Sequence, residues 1–181
     1  MKDIKTSRLI LRDARLEDAY DMFEYAKLEE VTKYLSWKPH LTVKDSEKLL
    51  DILIKEAKEK DSYALKAIIL KENNKMIGTI DARIFGDGLK DAEFGYCLNP
   101  EYWNKGYMSE ALKAFIEALH KEHGIVNIYG SFEEKNIASK KVMQKNNMYY
   151  YETVKRTFKN KGEVELLRYK ELNVSSNEIL S

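Results

Sequence analysis

The chain has 181 residues, 44% of them hydrophobic and 34% charged, with 2 prolines and 8 glycines. Those values fit one globular domain and exclude a collagenous, low-complexity or wholly disordered chain. Lys and Arg number 31 against 30 Asp and Glu, a formal net charge of +1, so there is no general electrostatic pull toward nucleic acid or an anionic membrane.

A first strand is expected over residues 7–12, where Leu9, Ile10 and Leu11 stand between Arg8 and Arg12. A helix should follow. Glu17 and Asp18 give it an acidic first turn, and Leu16, Ala19, Tyr20, Phe23 and Ala26 recur at helical spacing. A short second helix is expected over residues 29–35, with Pro39 as its breaker. Thr42, with Asp45 three residues on, resembles a capping box and opens a third helix. That helix carries Leu49, Leu50, Leu53, Ile54 and Ala57 on one face.

The period then changes. Residues 62–70 and 76–85 read as strands joined by the turn at Glu72, Asn73, Asn74 and Lys75, and residues 92–98 as a third strand ended by Asn99 and Pro100. A helix over 108–122 places Ala111, Leu112, Phe115, Ile116 and Leu119 on its apolar face, with Gly124 as its C-terminal cap. Strand 125–132, helix 136–146 and strand 148–159 follow. A turn at Asn160, Lys161 and Gly162 leads into the last strand, 164–172. The order of elements predicts an α+β (mixed α/β) fold with one mixed, mostly antiparallel sheet flanked by helices. Residues 1–172 form the single domain and 173–181 a fraying tail. The tyrosines, with Trp37 and Trp103, are expected mostly in the core.

The single cysteine, Cys97, can close no intrachain disulfide, and with only three histidines no metal site is expected. No apolar run reaches the ~18 residues of a membrane span, and residues 1–5 lack the apolar core of a signal peptide, so a cytoplasmic protein is expected.

Chemistry concentrates between Glu93 and Leu119. A strand ending at Leu98 runs through Tyr102, Trp103, Asn104, Lys105, Gly106 and Tyr107 into a helix beginning near Met108, Ser109 and Glu110. A helix N-terminus offers unpaired N–H groups and the positive end of a dipole, and a glycine before it lets those amides curve around an anion. Taken alone, one glycine before a helix is a turn as readily as a diphosphate cradle. It lacks the glycines of a P-loop or a dinucleotide fingerprint.

The surrounding residues say more. Glu93-Phe94-Gly95-Tyr96, then Tyr102-Trp103-Asn104-Lys105-Gly106-Tyr107-Met108-Ser109-Glu110-Ala111, resembles the acetyl-CoA-binding motif of the GNAT N-acetyltransferases. The resemblance is to the branch holding the ribosomal-protein N-terminal acetyltransferases RimJ and RimL. Asn136-Ile137-Ala138-Ser139, with Lys145-Asn146-Asn147-Met148 further on, is similar to the family's Asn-x-x-Ser helix. Thr6, Arg8, Leu9, Leu11 and Arg12 are similar to the branch's opening strand, and residues 30–35 also fit. The likeness covers residues 6–172 in order. Departures are Asn104 for a glycine, Met108 for a small residue, Asn147 and Met148 for Gly-Phe, and Met143 where many members carry tyrosine.

This resemblance implies a sheet splayed at the coenzyme site and direct transfer of acetyl from acetyl-CoA to a primary amine, on a small molecule or a peptide N-terminus. It implies that Glu93 is the general base, directly or through a water, or else an ordinary strand glutamate paired with Arg or Lys. It implies that the Tyr96, Cys97 and Leu98 main chain meets the pantetheine and the developing oxyanion. Asn104, Lys105, Gly106, Tyr107, Met108 and Ser109 would hold the diphosphate. Asn136 and Ser139 would meet the coenzyme from one helical face, Ser139 protonating the leaving thiolate in competition with Tyr149, Tyr150 and Tyr151. Asn136 is equally apt as an N-cap. Tyr34 and Trp37 would line the acceptor pocket. Cys97 reads as a structural thiol, and His120 and His123 as cations at a helix end. Neither nucleic acid nor membrane is expected as a partner, and a monomer or homodimer is. The alternative from another class is a non-catalytic acyl-CoA-binding sensor or interaction module.

Overall fold

The computed structural model describes residues 1–172 of the chain. The expected fraying tail, 173–181, lies outside the described residues. In chain order the elements are β1 (Ile4–Lys5), β2 (Leu9–Arg12), α1 (Ala19–Ala26), α2 (Glu29–Thr32), α3 (Val43–Glu59), β3 (Tyr63–Leu70), β4 (Lys75–Phe85) and β5 (Asp91–Leu98). There follow α4 (Tyr107–His123), β6 (Asn127–Phe132), α5 (Ile137–Lys145), β7 (Met148–Phe158) and β8 (Gly162–Glu171). The eight strands form one sheet in the order β1-β2-β3-β4-β5-β6-β8-β7. Among the described residues only β5 and β6 pair in parallel; every other neighbouring pair is antiparallel.

Strand alternation divides β3 and β4 between two cores. On one face Ala64, Ile68, Ile80, Ala82 and Phe94 pack against Ala111, Leu112, Phe115, Ile116 and Leu119, the stripe expected on α4. On the other face Leu65, Ala67, Ile69 and Met76 pack with Met22, Tyr25 and Leu50, and Leu49, Leu53, Ile54 and Ala57 lie against them. The sheet is therefore covered on both sides, and β3 is buried along its whole length.

Capping follows local chemistry. Asp45 Oδ2 accepts from the N–H of Thr42 at 2.9 Å and of Leu41 at 3.1 Å, tying the chain to the first turn of α3. Gly124 ends α4 with φ +62°, in the left-handed region that glycine enters without strain.

Some expectations shift. The strand pair Ile4–Lys5 was not anticipated; two residues carry no readable period. Residues 16–18 make a 3-10 turn before α1. Its tighter winding breaks the phase read from Leu16, so the buried face is Ala19, Met22, Tyr25 and Ala26, while Leu16 and Tyr20 are exposed. The second helix keeps only residues 29–32. Trp103, Tyr149, Tyr150 and Tyr151 are exposed rather than in the core.

Candidate active site

The parallel pairing of β5 with β6 is short. It joins residues 91–94 to residues 127–130 and goes no further. On its other edge β5 stays paired with β4 as far as Leu98 against Gly78. The sheet thus opens as a fork beyond Phe94, and residues 95–98 have no strand partner on the open side. At the apex a Cβ on Gly130 would stand 2.5 Å from the Phe94 ring and 2.7 Å from the Met143 methyl. Met143 is almost wholly buried there, so this position supplies packing and no proton donor.

The loop after β5 is pinned at both ends. Trp103 donates its Nε1–H to the Leu98 carbonyl at 2.7 Å. Asn104 (φ +59°) and Gly106 (φ +80°) take left-handed conformations, which asparagine and glycine tolerate best. The first main-chain bond of α4 runs from Glu110 N to the Gly106 carbonyl, so the amides of Tyr107, Met108 and Ser109 precede the helical ladder. Met108 packs into the core and is 5% exposed. Arg8 adds a cation. It stacks 4.3 Å over the Tyr107 ring and donates to the Lys105 carbonyl.

Glu110 is the clamp that holds Arg8 and the β1–β2 turn to this helix end. It accepts from Thr6 Oγ1 (2.6 Å), Ser7 Oγ (3.0 Å), Arg8 N (2.9 Å) and Arg8 Nε (2.7 Å). Partial burial works to raise its pKa, but these donors outweigh that and bring it down to about 2.

From this cradle a cavity of about 1840 Å³ extends along the fork to the α2–α3 segment. Among the residues expected in the site, Tyr34, Trp37, Glu93, Tyr96, Cys97, Leu98, Asn104, Gly106, Tyr107, Met108, Ser109, Asn136 and Ser139 all line it. Lys105 does not: its carbonyl is used by Arg8 and its ammonium lies 5.5 Å from the Tyr102 ring centroid. Tyr149, Tyr150 and Tyr151 also lie outside the cavity lining, exposed on β7.

Asn136 caps α5, its Oδ1 accepting from Ser139 N at 3.1 Å, so the capping role is present whatever else this residue does. Ser139 Oγ lies 2.9 Å from the Tyr96 hydroxyl. Burial pushes the Tyr96 phenol well above its ordinary pKa, so it stays protonated. Tyr96 and Ser139 thus form a hydroxyl pair that joins β5 to α5. Sequence reasoning placed both at the site but had no means of pairing them.

Glu93 has both oxygens engaged. Oε1 accepts from Ser131 Oγ at 2.6 Å, and Oε2 from Arg156 at 2.5 Å and Arg168 at 2.9 Å. Burial alone would raise its pKa; the bonds from Arg156 and Ser131 and the two guanidinium charges bring it below the ordinary glutamate value. The ion-paired reading of this strand glutamate is therefore present, and it makes Glu93 a weaker base. Arg156 and Arg168 come from β7 and β8, far along the chain, and nothing local in the sequence flags them.

Thr79 and Asp81 of β4 also line the cavity and were not singled out from the sequence. Cys97 Sγ lies 3.3 Å from Thr79 Oγ1, and burial raises the thiol pKa, which suits a structural rather than a nucleophilic role. His120 bridges the Ile125 carbonyl and Glu171 at 2.7 and 2.8 Å. Among the described residues no group of three His, Cys, Asp or Glu is placed to hold a metal, and no helix is long and apolar enough to cross a membrane.

The fork and cradle fit a ligand with a diphosphate at one end and an extended amide arm at the other. Unpaired amides at the start of α4 suit the first, and a free strand edge suits the second. Comparison with known proteins points the same way. Residues 8–149 match the family model described as an acetyltransferase (GNAT) domain. The N-acetyltransferase YnaD of Bacillus subtilis strain 168 is 33% identical over 144 residues, 78% of this chain and 79% of that protein. A GNAT-family acetyltransferase structure from Bacillus anthracis superposes with a TM-score of 0.80 at 25% identity, covering 94% of this chain and 98% of that one. RimL, a ribosomal alpha-N-protein acetyltransferase solved with coenzyme A, superposes with a TM-score of 0.81 at 19% identity, covering 94% of this chain and 97% of that one.

Proposed function

Since the chain belongs to the GNAT acetyltransferase family and is an acetyl-CoA-dependent N-acetyltransferase acting on a primary amine, we propose that its acceptor is the α-amine of a peptide or protein. The observation that carries this is that the cavity lining runs on past the residues assigned to the coenzyme, beyond the fork, to Tyr34 and Trp37, which leaves room for residues that follow the acceptor amine. The fold-level likeness to RimL supports it by analogy.

In this reading the amides of Tyr107, Met108 and Ser109, with Arg8, hold the coenzyme diphosphate, and the edge of residues 95–98 pairs with the pantetheine arm. Bound acetyl-CoA supplies a thioester carbonyl open to attack. A main-chain N–H between Tyr96 and Leu98 stabilises the oxygen as it gains charge. Ser139, oriented by the Tyr96 hydroxyl, donates its proton to the departing thiolate. Tyr34 and Trp37 contact the residues that follow the acceptor amine. Glu93, held ionised by Arg156, Arg168 and Ser131, positions those two arginines on the cavity wall.

The test is acetylation of a peptide panel varying the first residue, beside spermidine and free amino acids, scored by release of CoA thiol. Peptides should exceed the small amines in kcat/KM by about 10-fold or more, the gain of a few contacts at ~1.4 kcal/mol per decade. A preference for the small amines would remove the peptide acceptor. Tight acetyl-CoA binding without turnover on any amine would instead favour the sensor.

A further inference from the structure

Asp81 stands on β4 directly opposite Gly95 of β5. Because residue 95 has no side chain, the carboxylate fills that space; a Cβ on Gly95 would lie 3.2 Å from Asp81 Oδ1. Asp81 is deeply surrounded yet keeps part of its surface open to the cavity, on the sheet face it shares with Glu93, Gly95 and Cys97. The hydroxyl of Tyr63 on β3 is the neutral donor that acts on its carboxyl. Among the described residues no Lys, Arg or His forms an ion pair with it. The other charged or titratable groups facing it are Arg83 two residues along β4, Glu56 of α3 and Cys97 of β5.

Two carboxylates thus lie on one wall of the acceptor cavity in opposite states. Glu93 is saturated by two guanidiniums and a hydroxyl. Asp81 is desolvated, with one neutral donor. An incoming ammonium would find at Asp81 a negative charge that lacks a cation, next to the strand whose free edge faces the thioester.

We propose that Asp81 receives the acceptor ammonium and takes its first proton. The proposal rests on the N-acetyltransferase reading and deepens it. Asp81 accepts one proton from R–NH3⁺ and becomes the neutral acid. The freed lone pair forms the C–N bond as the C–S bond breaks. The second nitrogen proton passes to the departing sulfur through the Ser139 hydroxyl, and Asp81 releases its proton to solvent after the products leave.

Burial, opposed by the Tyr63 bond and the Arg83 charge, pushes the Asp81 carboxyl up to about 7. A base of that strength is half ionised at neutral pH, near the optimum for general-base catalysis. The acid limb of kcat/KM should therefore fall near pH 7. Tyr63→Phe removes a donor that favours the anion and should move that limb to higher pH.

The experiment measures CoA release from acetyl-CoA with the best peptide of the panel, from pH 5.5 to 9, for wild type, Asp81→Asn, Asp81→Glu and Tyr63→Phe, with acetyl-CoA affinity by calorimetry. Asp81→Asn should lose about 10²-fold or more in kcat/KM, lose the acid limb, and bind acetyl-CoA as wild type does. Asp81→Glu should recover part of the rate. Folding is checked by melting. The raised pKa means Asp81 favours the folded state while protonated, and this contribution is lost as pH rises through about 7. Asp81→Asn should therefore melt above wild type at pH 8 and no higher at pH 4. A folded Asp81→Asn enzyme within threefold of wild type, or one that keeps the acid limb, overturns the proposal while leaving acetyl transfer intact. A wild type that binds acetyl-CoA and acetylates no amine overturns both.

Discussion

Glu93 and Asp81 differ in environment, and the proposed mechanism divides their work on that difference. A carboxylate shared by Arg156, Arg168 and Ser131 is stabilised as the anion and holds a proton poorly. Glu93→Gln would keep the contact with Ser131, remove the counter-charge of Arg156 and leave Arg168 paired with Glu152 alone. The expected result is a loss of about 1–3 kcal/mol in stability and a rise in KM for the acceptor larger than the fall in kcat. The acid limb of the pH profile should remain. Steady-state kinetics across pH checks this, and disappearance of the limb in this variant would return the base role to Glu93. The role of Glu93 turns on residues 156 and 168, which is why sequence reasoning kept the catalytic and ion-paired readings side by side.

Among the elements, α4 carries the proposed diphosphate cradle at its N-terminus, which is held from outside. Glu110 bonds to Thr6, Ser7 and Arg8, so the β1–β2 turn, the start of α4 and the Arg8 side chain move as one unit. The lowered pKa of Glu110 means its stabilisation is present above the ordinary glutamate range and is lost as pH falls toward about 2. Glu110→Gln should cost about 2 kcal/mol near neutrality, the scale of charge-assisted hydrogen bonds, with the deficit closing in acid. It should also weaken acetyl-CoA binding severalfold through a less ordered Arg8. Melting curves at pH 7 and pH 3, with calorimetry at pH 7, test both. The motif Ser109-Glu110-Ala111 was readable in the sequence, whereas its partner, the Thr6 to Arg8 turn, lies about a hundred residues away.

At the scale of the whole molecule, the fork is a cut in an otherwise continuous eight-stranded sheet. Helices cover both faces, so the sheet tolerates the missing β5–β6 bonds because packing on either side fixes the strands. A ligand that pairs with residues 95–98 would supply main-chain bonds absent from the free protein. Acetyl-CoA at ~100 times its Kd should stabilise the fold by about 2.7 kcal/mol and raise Tm by about 5–10 °C. Differential scanning fluorimetry with acetyl-CoA and with adenosine alone checks this. An unmoved Tm would contradict a coenzyme site in the fork.

What the sequence determined was local and ordered. Hydrophobic period, the Thr42–Asp45 cap, the Gly124 stop and the turn around Asn73 are each set within a few residues, and most strands and helices were legible. So was the strand, glycine loop and helix start proposed as the coenzyme cradle, because its parts are contiguous. The tertiary structure alone decided where β5 leaves β6, which hydroxyl Ser139 meets, and that Glu93 rather than Asp81 is saturated with cations. Those outcomes depend on charges and packing from segments far apart in the chain, and burial, which sets the strength of each acid, exists only once the sheet has assembled.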